Sequence, residues 1–321
     1  MATTKIQAAT QTAKRSFSAG SVISAIGRWI VRNRIYLIAF AIPAVLTYLA
    51  YALFGLYPFG EESVLCLDLN GQYVYYFEAL RDAFWGDGSI FYNWSRNLSG
   101  EFMGIIGYYL ASPFTLIVML LPEKFMLSSL LIMQLCKLGA AGATFNYFLQ
   151  KRRGVQPYPS LLFSTMYAMM AYGVIQLIDP MWLDGLVFLP LIMLGIEYLV
   201  DDGRRLNFII PLALMCVANF YIGYMICFFV ILYFLFYLCF GSDKKRKGYD
   251  YFTAFVRIAY SSVIALACAA FMLLPVYNAL KLGKFEFTDP DYSFRFQSFP
   301  LSKKLLENAQ DSPLLVFLCD L

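Results

Sequence analysis

The chain has 321 residues, of which 60% are hydrophobic, 18% aromatic and only 14% charged. Soluble domains carry roughly 25% charged residues, so a water-solvated globule is excluded and lipid is the expected solvent. There is no histidine, which removes the usual general base and zinc ligand, and the net charge of +4 sits in short clusters beside apolar runs, a pattern suited to membrane orientation rather than nucleic-acid binding.

Residues 1–34 are polar and basic, with Lys14, Arg15, Arg28, Arg32 and Arg34. They read as a cytoplasmic tail. The apolar run that follows, 35–57, has 23 residues, whereas a signal-peptide core has roughly 7–15. Further apolar runs occupy 104–121, 125–149, 159–178, 183–200, 206–240 and 251–275. As one helix the run 206–240 would be about 52 Å long, where about 30 Å suffices to cross. The clusters Lys151-Arg152-Arg153, Arg204-Arg205 and Lys244-Lys245-Arg246-Lys247 belong on the cytoplasmic side with the basic N-terminus.

Two consecutive inside clusters need an even number of crossings between them. The run 206–240 is therefore predicted as two helices with an outer turn near 219–224. The same parity denies 104–121 a crossing of its own. That run has 18 residues, contains Pro113 and ends at Pro122, and is predicted as a re-entrant or interfacial helix. The expectation is an all-α polytopic membrane protein with about seven transmembrane helices. Its transmembrane domain is 35–275, its first outer loop is 58–124, and 276–321 is an outer segment that reads as the start of a truncated region. Seven cysteines form no C-x-x-C pair and five lie in apolar runs, so neither a disulfide framework nor a metal site is predicted from them.

The first outer loop is acidic and aromatic. Between 58 and 104, seven acids face only Arg81 and Arg96, an excess that the positive-inside rule does not require. Leu69, Tyr73, Tyr76, Phe77, Leu80 and Phe84 recur at helical spacing. They predict an amphipathic helix lying at the membrane surface, with Glu78, Arg81 and Asp82 on its polar face. Asp68 immediately precedes that helix. It is either the N-cap, a favoured place for Asp, or a carboxylate at the mouth of the bundle whose apolar surroundings suit proton abstraction.

The other polar residues carry paired readings too. Asp179-Pro180 reads as a turn, and Asp184 as the cap of the next helix. Glu101 stands before the re-entrant segment. Lys137 lies midway along 125–149, where a charge faces either a buried partner or a lipid phosphate. Gly139, Ala140, Gly142 and Ala143 form a small-residue patch that reads as helix packing.

Several stretches together carry a likeness: 68–73 (Asp-Leu-Asn-Gly-Gln-Tyr), 108–114 (Tyr-Tyr-Leu-Ala-Ser-Pro-Phe), 182–184 (Trp-Leu-Asp), 189–191 (Leu-Pro-Leu) with 195–197 (Gly-Ile-Glu), and 219–225 (Asn-Phe-Tyr-Ile-Gly-Tyr-Met). In order and wording they resemble the YfhO family of bacterial membrane proteins. The resemblance implies a GT-C-like helical bundle. It also implies a glycosyltransferase that takes a sugar from a polyprenyl-phosphate carrier and passes it to an extracytoplasmic cell-wall polymer such as lipoteichoic acid. By position Asp68 would act as base or help to hold a divalent cation. Gln72, Arg81, Arg96, Glu101, Lys137, Trp182, Asp184, Tyr221 and Tyr224 are expected around the substrate. A lipid-carrier flippase or transporter, or a non-catalytic cell-wall assembly scaffold, is the competing reading.

Overall fold

The computed structural model describes residues 19–94, 100–242 and 248–283. Residues 1–18 of the basic tail, Arg96, the cluster Lys244-Lys245-Arg246-Lys247 and residues 284–321 lie outside the described residues. Contacts divide the chain into two units, Met1–Pro275 and Val276–Leu321; the bundle belongs to the first.

The described residues are all-α apart from one minimal hairpin. Helix α1 covers Ala19–Leu53. A π-helical turn, Leu69–Tyr73, leads into α2, Val74–Trp85. The strands β1 (Tyr92–Asn93) and β2 (Gly100–Glu101) pair antiparallel, Tyr92 opposite Glu101. Then come α3 (Met103–Ile105), a second π-helical turn (Ile106–Leu110) and α4 (Thr115–Leu120). Helices α5 (Met126–Arg152), α6 (Pro157–Ala168), α7 (Ala171–Ile175) and α8 (Leu183–Asp202) follow. The chain continues through α9 (Leu206–Ala218), α10 (Phe220–Phe236) and α11 (Gly248–Gly283).

Among the described residues, five helical stretches are long and apolar enough to cross a bilayer: Ser24–Leu53, Glu123–Arg152, Pro180–Asp202, Phe220–Gly241 and Gly248–Lys281. Two of the seven expected crossings fall short. The run 159–178 breaks into α6 and α7 around Met169–Met170. Both residues are apolar, so hydropathy carries no mark of the break. Helix α9 has 13 residues, about 20 Å. The division of 206–240 itself lies where it was expected, at Asn219, whose side-chain oxygen accepts from the Ile222 amide at 2.8 Å and caps α10. At 104–121 the chain gives two short helical pieces parted at 111–114, neither long enough to cross.

Helix α8 is the hub. The most apolar stretch of its span is 78% buried, against 22% for the outermost helices α1 and α11. Phe188, Ile192, Ile196 and Leu199 of α8 pack with Phe208, Leu212 and Met215 of α9, Ile222, Ile226 and Val230 of α10, and Ala265 and Ala269 of α11. On its other side Leu183, Leu186 and Val187 meet Leu138 and Ala141 of α5 and Ala168 of α6.

The small-residue patch of α5 lets α1 approach closely. A Cβ on Gly142 would stand 2.5 Å from the Ala39 carbonyl oxygen, and one on Gly139 2.8 Å from that of Phe40. Neither position tolerates a side chain at this separation, the usual reason for glycine between membrane helices.

Candidate functional site

The bundle has two polar centres, one at each end of α8, whose 20 residues span about 30 Å. The end that bears the long loop holds most of the residues singled out above.

The loop end starts from the two π-helical turns. In the first, Leu69 and Tyr73 are buried, as are Phe77 and Leu80 of α2. The amphipathic face is thus buried against protein rather than laid on lipid. Only its last member, Phe84, is largely exposed, at 63%. Rings from the second turn complete the layer. Tyr109 meets Tyr73 edge-on at 5.1 Å and Tyr76 at 5.0 Å, and Tyr108 contacts Tyr109, Phe220 and Tyr221. Local i→i+5 turns of this kind recur at functional sites.

Asp68 stands at the edge of this aromatic layer and is exposed. Its backbone is already helical (φ −64°, ψ −31°) and its side chain caps nothing. Its charge is felt by two neighbours, Asp179 and Tyr109. Asp179, read from sequence as a turn residue, is therefore the second carboxylate of the site. Its Oδ1 accepts a hydrogen bond from the Tyr73 hydroxyl at 3.1 Å. Partial burial raises its pKa, the Tyr73 hydrogen bond opposes that rise, and the Asp68 charge adds to it. Burial, then neighbouring phenols and carboxylates, pushes Tyr109 up to about 12, and Tyr73 and Tyr108 rise chiefly through burial. All three phenols therefore remain protonated donors at neutral pH.

Gln72 joins the same layer, its Oε1 accepting from the Tyr109 hydroxyl at 3.2 Å. Trp182, at the N-cap of α8, adjoins Tyr108. Tyr221 lies with its ring 6.0 Å from that of Tyr108, whereas Tyr224 turns to Phe228 at 4.9 Å.

Other predicted site residues have different surroundings. Arg81 donates from one nitrogen to the carbonyls of Val118, Met119 and Leu121 at the end of α4. There a cation offsets the negative pole of the helix. Glu101 accepts from the Gly104 amide at 2.8 Å, closing the start of α3. Lys137 is 1% exposed and Asp184 is fully buried. They form an ion pair of 2.8 Å, and Asp184 takes a second hydrogen bond from Ser112 at 2.8 Å. Asp184 is thus not the cap of α8 but a buried partner in its first turn. Arg96 lies outside the described residues.

The opposite end is a lattice of ions and phenols. Glu197, fully buried, accepts from Arg152 at 2.9 Å and also from Arg153 and Tyr233. Asp201 accepts from Arg152, from Tyr237 at 2.6 Å and from Ser242 at 2.7 Å. Two of the three basic residues read as a topology signal thus tie α5 to α8 and α10.

Among the described residues no three His, Cys, Asp or Glu side chains converge as a metal site would require. Asp68 and Asp179 are two carboxylates at the loop end whose charges interact.

A family profile described as "Bacterial membrane protein YfhO" matches residues 39–308. The chain belongs to the YfhO family. An uncharacterized protein YfhO of Bacillus subtilis (strain 168) is 27% identical over 168 residues, covering 46% of this chain and 19% of that protein. The match thus spans about a fifth of the curated relative's length. No solved structure matches the chain. The YfhO match runs from within α1 past the end of α11, so both carboxylates and the aromatic layer fall inside it.

Proposed function

We propose that this YfhO-family protein is a membrane glycosyltransferase with the loop end facing out of the cell. In this reading it moves a sugar from a polyprenyl-phosphate carrier to an extracytoplasmic cell-wall polymer such as lipoteichoic acid. The supporting observation is Asp68: an exposed carboxylate that caps nothing and stands beside Asp179 at an aromatic layer. A carrier with a buried lipid tail presents its anomeric carbon at the interface, within reach of such a group.

The Asp68 carboxylate takes the proton of the acceptor hydroxyl as its oxygen bonds to the anomeric carbon. The bond from that carbon to the carrier phosphate oxygen breaks, and its electron pair leaves with the phosphate. Asp179 holds the second position and accepts from the Tyr73 hydroxyl. Tyr108, Tyr221 and Trp182 offer ring faces to a sugar. Arg81 and Lys137 are occupied by protein groups.

The test is sugar transfer in membranes from cells expressing Asp68→Asn. Transfer should fall at least about 100-fold, with insertion and abundance unchanged. Transfer at the wild-type rate removes Asp68 as base. A flippase is favoured by one observation, the broken segment at α6 and α7, since discontinuous helices mark transporters. It would keep transfer in this variant and lose movement of the carrier.

A further inference from the structure

The turn that carries Asp179 has little regular structure of its own: a stretch from Gln176 followed by a 3₁₀ turn, Pro180–Trp182. Two side chains of α5 hold it from below. Gln134 Nε2 donates to the Leu177 carbonyl at 2.6 Å, and Lys137 Nζ donates to the Pro180 carbonyl at 2.7 Å. Three residues apart, they share one face of α5. Both are 1% exposed. The two carbonyls they hold bracket Asp179 in the chain.

Their remaining bonds reach the rest of the bundle. Gln134 Oε1 accepts from Tyr51 of α1 at 3.2 Å, and Lys137 pairs with Asp184, which also holds Ser112. Charge balance alone would require only the Lys137–Asp184 pair. It does not account for the bond to the Pro180 carbonyl, nor for the matching bond from an uncharged glutamine.

We propose that Lys137 and Gln134 are positioning residues that suspend the 177–182 turn from α5 and so hold the Asp179 carboxylate at the Tyr73 hydroxyl of the aromatic layer. The inference rests on the transfer reading only for its kinetic consequence; the placement of Asp179 can be measured without any activity. The titratable groups around Asp179 are Asp68, Tyr73, Tyr108 and Tyr109. Releasing the turn admits water to Asp179, the change that would weaken the largest contribution to its raised pKa, burial.

The experiment labels the full chain in nanodiscs with a carbodiimide and glycine ethyl ester across pH, and quantifies modification of Asp179 by mass spectrometry. Only the protonated carboxyl reacts, and the exposed Glu61 and Glu62 serve as internal references. The variants are Gln134→Met and the double variant Lys137→Met with Asp184→Leu, which leaves no buried ion unpaired. In each, the Asp179 midpoint should move to lower pH while the references stay fixed. In the transfer assay kcat should fall about tenfold with KM little changed. An unmoved Asp179 midpoint in inserted protein overturns the proposal. If the double variant does not insert, Gln134→Met decides alone, since it removes two hydrogen bonds and no charge. Wild-type protein without transfer activity would sink the glycosyltransferase reading and leave the midpoint result standing.

Discussion

Tyr73 and Asp179 are 106 residues apart in the chain and joined by one hydrogen bond. That bond stabilises the carboxylate against burial and the Asp68 charge. Tyr73→Phe removes the donor and keeps the ring, so the Asp179 pKa should rise further. If transfer needs that carboxylate ionised, the acid limb of the pH–rate profile should shift to higher pH, opposite to the shift of the Asp179 midpoint in the Gln134 and Lys137 variants. A profile identical to wild type would detach Asp179 from the chemistry. Asp68 was legible in the sequence because it sits alone at the start of an amphipathic pattern. Asp179 was not, because an Asp-Pro pair reads as a turn and its meaning comes from a remote phenol. Lys137 announced that it needed a partner in mid-span. The partner, Asp184, was hidden behind the ordinary expectation that an acid at a helix start is a cap.

At the scale of elements, the loop end is assembled around Asn219. Its side chain caps α10 through the Ile222 amide and donates to the Tyr108 carbonyl at 2.8 Å, joining the α9–α10 turn to the second π-helical turn. It is fully buried. Asn219→Ala loses the cap and strands the carbonyl, a destabilisation of about 2–3 kcal/mol. It should appear as a lowered melting temperature in detergent. Asn219→Ser keeps a capping acceptor and loses the bond to the Tyr108 carbonyl, so it should fall between Ala and wild type. Equal melting of all three would mean that this junction does not stabilise the fold. The division at Asn219 was readable because a polar residue interrupts an aliphatic run. The break at Met169–Met170 was not, since no change of polarity accompanies it. The two π-helical turns of the loop end left no trace either, because a one-residue insertion in the hydrogen-bond ladder alters no residue type.

For the molecule as a whole, the sequence pattern conveyed a helical bundle with a loop-bearing end and a basic end. It did not convey that Arg152 and Arg153 are engaged with Glu197 and Asp201 rather than standing in solvent. Engaged arginines still carry their charge, so the positive-inside argument for orientation keeps its force. Orientation can be tested with two native thiols. Cys66 is exposed two residues before Asp68, and Cys239 is exposed in the π-helical turn Tyr237–Gly241, next to the Arg152 lattice. The two thiols stand at opposite ends of the bundle. In variants that retain one or the other as the single cysteine, a membrane-impermeant maleimide should label Cys66 in intact cells. It should reach Cys239 only after permeabilisation. The reverse pattern would turn the carboxylate pair toward the cytoplasm, away from any extracytoplasmic acceptor. The transfer proposal would then fail while the fold and its family stood unchanged.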